Sequence, residues 1–88
     1  MTTVALPARL TMAEAPAVLA DMAPRLAAAD APVLDASPLV ELDSAALALL
    51  LDCRRRVLAR GLTLQITGAP PKLRQLAALY GVEGLLGV

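Results

Sequence analysis

Apolar and polar residues alternate most regularly at residues 62–67, where Leu62, Leu64 and Ile66 interleave with Thr63, Gln65 and Thr67. A period of two predicts a half-buried strand, here closed by Gly68. Over residues 44–60 the period becomes helical. At about 100° per residue, Ala46, Leu47, Leu50, Leu51, Cys53, Val57 and Leu58 share one broad face. Gly61 is a natural stop, and the late arginines complement the helix dipole. Residues 32–36 are apolar except at Asp35, which predicts a buried strand. Residues 4–10 predict another, which Pro7 restricts to an edge or a bulge. A third apolar period over residues 13–29, marked by Val18, Leu19, Met22 and Leu26, predicts a helix. Pro16 suits its first turn, whereas Pro24 should kink or split it. Pro70 and Pro71 open a last helix over residues 72–80, with Leu73, Leu76, Ala77 and Tyr80 on one face. Gly81 ends it, and residues 82–88 are expected to pack back loosely. The order strand, helix, strand, helix, strand, helix predicts an α/β fold with parallel pairing and right-handed crossovers.

Composition narrows what such a fold can do. Eighty-eight residues make one small domain over residues 1–88, able to bury about 60–65% of its unfolded surface. The chain has one Tyr and no Phe or Trp, so its core is aliphatic. With no aromatic platform and no net positive charge, nucleic-acid binding is not expected. The zero net charge hides an asymmetry. Residues 1–52 carry two basic and seven acidic side chains, and residues 53–88 carry six basic and one acidic. A neutral chain repels its own copies weakly, so self-association is possible.

Cys53 is the only cysteine and there is no histidine. No intrachain disulfide, thiolate zinc site or histidine-based dyad can form, and neither an enzyme activity nor a cofactor is expected. No basic-then-apolar leader is visible, and the longest apolar run, residues 45–51, is far too short for a bilayer. The expectation is a cytoplasmic, soluble protein without direct membrane insertion, able to sit on a membrane complex through a partner.

The candidate site lies at Asp43-Ser44, where the central helix begins. The plain expectation is an N-cap worth about 1 kcal/mol. Alternatively, Ser44 is exposed at a dipole-positive helix start, where a phosphoryl group would be stabilised. Both hold if Asp43 caps and Ser44 points outward. Beyond them, Ala45, Ala48, Leu49, Asp52, Arg55, Arg56 and Ala59 project away from the expected core. That face is either an ordinary solvated surface or a docking surface with an apolar centre and a charged rim. The run Arg54-Arg55-Arg56 cannot form one patch, because successive helical residues diverge by about 100°. Arg54 is expected to snorkel towards the helix end. Cys53 is expected in the core, and Tyr80 is expected to pack its ring beneath the last helix.

These residues carry a resemblance. Val33-Leu34-Asp35-Ala36-Ser37, followed by Leu42-Asp43-Ser44-Ala45-Ala46-Leu47, resembles the signature of STAS domains. In that signature a strand ends near an acid, and an Asp-Ser/Thr-small-Gly-Leu segment opens a helix. The segment Leu76-Ala77-Ala78-Leu79-Tyr80-Gly81-Val82 looks like the MlaB-type branch, small subunits of an ABC transporter moving phospholipids between bacterial membranes. The resemblance implies a small, mostly parallel sheet with helices mainly on one side. It implies that the Asp43-Ser44 edge and the helix it opens form a partner surface facing an ABC-transporter ATPase subunit. Asp43, Ser44, Ala45 and Leu47 match the motif, and Asp35 matches its strand-end acid. The outward face of the helix adds Ala48, Leu49, Asp52 and Arg56 to the expected surface. In the anti-sigma-factor-antagonist branch it implies phosphorylation of Ser44 by an anti-sigma-factor kinase. Ala46 stands where the family usually has Gly, which narrows close backbone approach there. The short N-terminus is expected to lack the first edge strand of longer members.

Overall fold

The computed structural model describes residues 2–88. Three strands form the main sheet: β1 (Thr2–Ala5), β3 (Pro32–Asp35) and β5 (Gln65–Thr67), in the order β1-β3-β5, all parallel. A two-residue parallel ladder joins β2 (Arg9–Leu10) to β4 (Glu41–Leu42). The helices are α1 (Ala15–Ala28), α2 (Ser44–Ala59), α3 (Pro71–Leu79) and the single turn α4 (Glu83–Leu86). Because the main strands are added in one direction, right-handed crossovers place α1 and α2 on the same face of the sheet. The two helices pack against each other there.

Register explains how that face becomes the core. Val4, Leu34 and Ile66 lie side by side across the strands. They pack with Met22 and Leu26 of α1, Leu47, Leu50, Cys53 and Val57 of α2, and Leu73 and Ala77 of α3. The residues on the opposite face include Thr3, Ala5 and Gln65, which are exposed. That face is open at these positions but not at Val33, which is only 8% exposed.

Several sequence expectations are corrected. The strand expected over residues 4–10 is two strands, parted around Pro7 where the chain leaves β3 for β4. The turn expected around Glu41-Leu42 supplies β4. β5 begins only at Gln65, although Leu62 and Leu64 are half-buried and Thr63 is exposed, as the alternation predicts. Continuing its register would bring Leu64 opposite Pro32, which has no N–H for the ladder. Pro24 does not split α1. Its ring and Ala20, whose carbonyl loses a partner, are both exposed, so water can replace the missing bond. The C-terminal tail forms α4, whose Leu86 is buried in the core.

Helix ends are tied down both locally and over long range. Thr11 and Glu14 form a reciprocal capping turn before α1: the Glu14 carboxylate accepts from the Thr11 N–H at 2.9 Å and from its hydroxyl at 2.6 Å. Those bonds, the hydroxyl's foremost, hold the Glu14 carboxyl below its usual range. At the other end, Arg60 Nη1 donates to the carbonyls of Leu26 (2.7 Å) and Ala29 (2.8 Å). A residue after α2 thus caps α1, satisfying carbonyls that helix geometry leaves free.

Candidate functional site

α2 begins where β4 ends, and Asp43 sits at the junction in an extended conformation. Its Oδ1 accepts from the Ala45 N–H at 2.8 Å, and its Oδ2 accepts from the Met12 N–H at 3.1 Å. One carboxylate therefore caps α2 and fastens the loop before α1 to it. Ser44 is relieved of the capping task. Its side chain is exposed at the first helical position.

Ser44 and Ala48, one turn apart, form a crest with an apolar groove on each side. Between α1 and α2 lies a groove of about 440 Å³, walled by Met12, Ala15, Pro16 and Leu19 against Ala45, Ala48, Leu49 and Asp52. On the other side lies one of about 270 Å³, lined by Ser44, Leu47, Ala48, Leu51, Tyr80 and Val82. Ala48 borders both. Met12, 75% exposed, and Tyr80, 58% exposed, stand on the two flanks.

The expected site residues therefore separate. Asp43 is a half-buried anchor, Ser44 and Ala48 are the exposed crest, and Ala45 and Asp52 are half-buried groove walls. Leu49, expected to project outward, is only 4% exposed. The expectation treated α2 as a helix lying on a sheet alone, but α1 packs beside it and covers Leu49. Leu58, expected in the core, is 43% exposed. It lies in the last turn of α2. Arg56 is exposed and turns towards α1, lining a small cavity of about 70 Å³ with Ala23, Ala27 and Arg60. Tyr80 is not beneath the last helix: α3 stops at Leu79, Tyr80 caps it, and Gly81 at φ +70° reverses the chain into α4. The groove walls from α1, Tyr80 and Val82 went unread in the sequence. The one local clue was Met12, an apolar residue beside the Thr11–Glu14 cap.

Electrostatics set the rim. Arg55 and Arg56 both bond to Asp52, the latter through Nε at 3.0 Å. These bonds, the Arg56 one foremost, hold the Asp52 carboxyl below its usual range. Asp35, at the end of β3, accepts from the Ser37 N–H at 3.0 Å, and this bond lowers its pKa. Gly68 (φ +67°) closes over that turn; a Cβ there would meet the Ser37 Cβ at 2.9 Å. Asp35 is thus a turn-forming acid. Burial pushes the Cys53 thiol up to about 11, which keeps it protonated and unreactive. Among the described residues, no group of His, Cys, Asp and Glu could hold a metal ion and no helix is long and apolar enough to cross a membrane. What the arrangement can do is present an uncharged hydroxyl-bearing ridge between two apolar recesses.

Comparison with known proteins bears on the fold and the family. The family model described as "Mlab, STAS domain" matches residues 1–87. No curated protein matches the chain. A similar solved structure is that of an anti-sigma-factor antagonist (STAS) domain protein from Planctomyces limnophilus. It is 14% identical over 98% of this chain and 79% of that one, with a TM-score of 0.84. At that identity the likeness shows the fold. Together with the family match over nearly the whole chain, it places this protein in the STAS domain family.

Proposed function

We propose that this domain is a non-catalytic regulatory and assembly subunit that binds the ATPase of a phospholipid-transporting ABC complex. It would sit at the cytoplasmic face of the inner membrane through that partner and support outer-membrane lipid asymmetry. One observation carries the reading. The Ser44–Ala48 crest is exposed and uncharged between two apolar grooves, while Asp43, the acid directly before the helix, is occupied by capping. Small crest residues let a partner backbone come close, and the grooves accept its apolar side chains. Such a subunit changes ATPase behaviour only by binding one ATPase conformation more tightly than another. The Mlab description of the matching family supports this choice of partner.

Co-purification with the candidate ATPase tests the reading. Ser44→Arg combined with Ala48→Arg should abolish the complex while leaving the fold intact, because both positions are exposed. A complex that survives both changes overturns the assignment.

The exposed Ser44 hydroxyl favours a second reading, an anti-sigma-factor antagonist switched by phosphorylation. A phosphate there would add about two negative charges next to the Asp43 carboxylate and repel a partner fitted to the neutral crest. Mass spectrometry after incubation with ATP and the candidate kinase separates the two. Stoichiometric phosphate on Ser44 supports switching, and an unmodified chain supports constitutive docking.

A further inference from the structure

The two ends of the crest carry opposite charge. At the helix-start end, Arg9 lies 3.2 Å from both Glu14 and Glu41, with Asp43 following Glu41 by two residues. Two carboxylates there share one guanidinium, and the third, Asp43, caps α2. At the far end, Arg55 and Arg56 both bond to Asp52, so two guanidinia share one carboxylate. The Arg55 side chain is 75% exposed and that of Glu41 is 57% exposed. Between the ends are Ala48 and the two apolar grooves.

We infer that the chain pairs with a second copy of itself across this crest, in a two-fold arrangement with α2 antiparallel to its mate. The arrangement is charge-complementary twice over. Ala48 meets Ala48 and Ser44 of each copy comes near Asp52 of the other, because both lie one turn from residue 48 within α2. Arg55 of each copy faces the acidic helix-start end of its mate, where Glu41 precedes the helix in β4. At 1.5 Å per residue, Arg55 lies about 10 Å along the axis from Ala48. Alanine at the crossing permits close helix approach, about 8 Å between axes. Exposed Met12 and Tyr80 add apolar area on the flanks. A standard interface takes about 800 Å² per copy, roughly a sixth of the 4736 Å² this chain exposes. A parallel mate would oppose like charges, and the zero net charge of the whole chain adds no long-range repulsion. The proposal goes beyond the docking reading and bears on it: self-pairing covers Ser44, so a free pool of dimers would hold the docking crest in reserve until the ATPase competes for it.

Sedimentation equilibrium on the full chain, from micromolar to near-millimolar concentration, tests this. The expected result is a monomer–dimer equilibrium that weakens in about 1 M salt, where the screening length is about 3 Å. Ala48→Arg should abolish the dimer. Arg55→Glu and Glu41→Arg should each weaken it about tenfold or more, and combining the two should restore it, since the swapped charges again meet across the two-fold axis. Circular dichroism confirms that each variant is folded. A chain that stays monomeric at the highest concentration in low salt overturns the inference, as does a dimer indifferent to Ala48→Arg or one that the charge swap fails to rescue. Co-purification with the ATPase is scored separately, so a monomer that still binds it removes the self-pairing proposal alone.

Discussion

The two halves of α2 use their outward faces differently. From Ser44 to Leu51 the exposed positions are small and uncharged, flanked by unfilled apolar grooves. From Asp52 onward the exposed positions include Arg55, Arg56 and Arg60, with Leu58 and Ala59 between them, and these three arginines have partners within the chain. Asp52 holds Arg55 and Arg56, and Arg60 reaches over to the end of α1. The second half fastens the molecule together. The first half leaves an uncharged crest and two apolar grooves uncovered, at the same helix start where Asp43 alone does the capping. On the docking reading proposed above, docking and stability are separable along one helix, within two turns of each other.

Substitutions at neighbouring positions test that separation most severely. Leu49→Arg places a charge between α1 and α2 and should destabilise the fold by about 3 kcal/mol or more. Ala48→Arg, one residue away, should change stability by about 0.5 kcal/mol or less. Thermal or urea unfolding of the pair checks this, and equal losses would erase the distinction between crest and groove floor. Next in size is Arg60→Ala, which leaves the Leu26 and Ala29 carbonyls without their charged donor. A loss of about 1–2 kcal/mol is expected, with faster amide exchange in the last turn of α1.

At the helix start, Asp43→Ala should cost about 1 kcal/mol, while Ser44→Ala should cost no more than a few tenths. The reverse order would mean that Ser44 is the true cap and its hydroxyl is not free. In the core of the second half, Cys53 should resist thiol reagents near neutral pH until the protein unfolds, because burial keeps it protonated. Labelling in native buffer would show that the site opens locally. The smallest effect concerns acid. Glu14, Asp35 and Asp52 have carboxyl pKa values lowered by folding. Their contribution is complete above the unfolded carboxylate range and is lost as pH falls through the lower folded values, since the unfolded chain binds those protons first. The melting temperature should hold steady from neutral pH down to the ordinary carboxylate range and decline gently below it. Glu14→Gln or Asp52→Asn should flatten the decline.

The main α/β alternation was legible in the sequence because its signals are local. Leu62, Leu64 and Ile66 alternate as a strand should, the α2 face repeats as a helix should, and Gly61 and Gly81 punctuate both. The Asp43-Ser44 pair was legible for the same reason, since capping involves residues two or three apart. The misread positions depend on neighbours distant in sequence. Leu49 is buried by α1, residues 9–10 pair with Glu41-Leu42 across the sheet edge, and Tyr80 is turned out by the α4 turn beneath which Leu86 takes the core position. Met12 and Leu19 could be assigned to the site only once α1 was placed against α2.

The sequence alone determined that a helix starts at Ser44 with an acid before it, and that its apolar stripe must find a sheet. Periodicity and capping are properties of the chain's own next few residues. Which residues flank that start, and whether its hydroxyl meets solvent or core, was decided only when α1, α2 and the C-terminal turns were packed on one face. Burial depends on what other segments cover a position. A hydroxyl on a helix end becomes a recognition site only where those segments stop short of it.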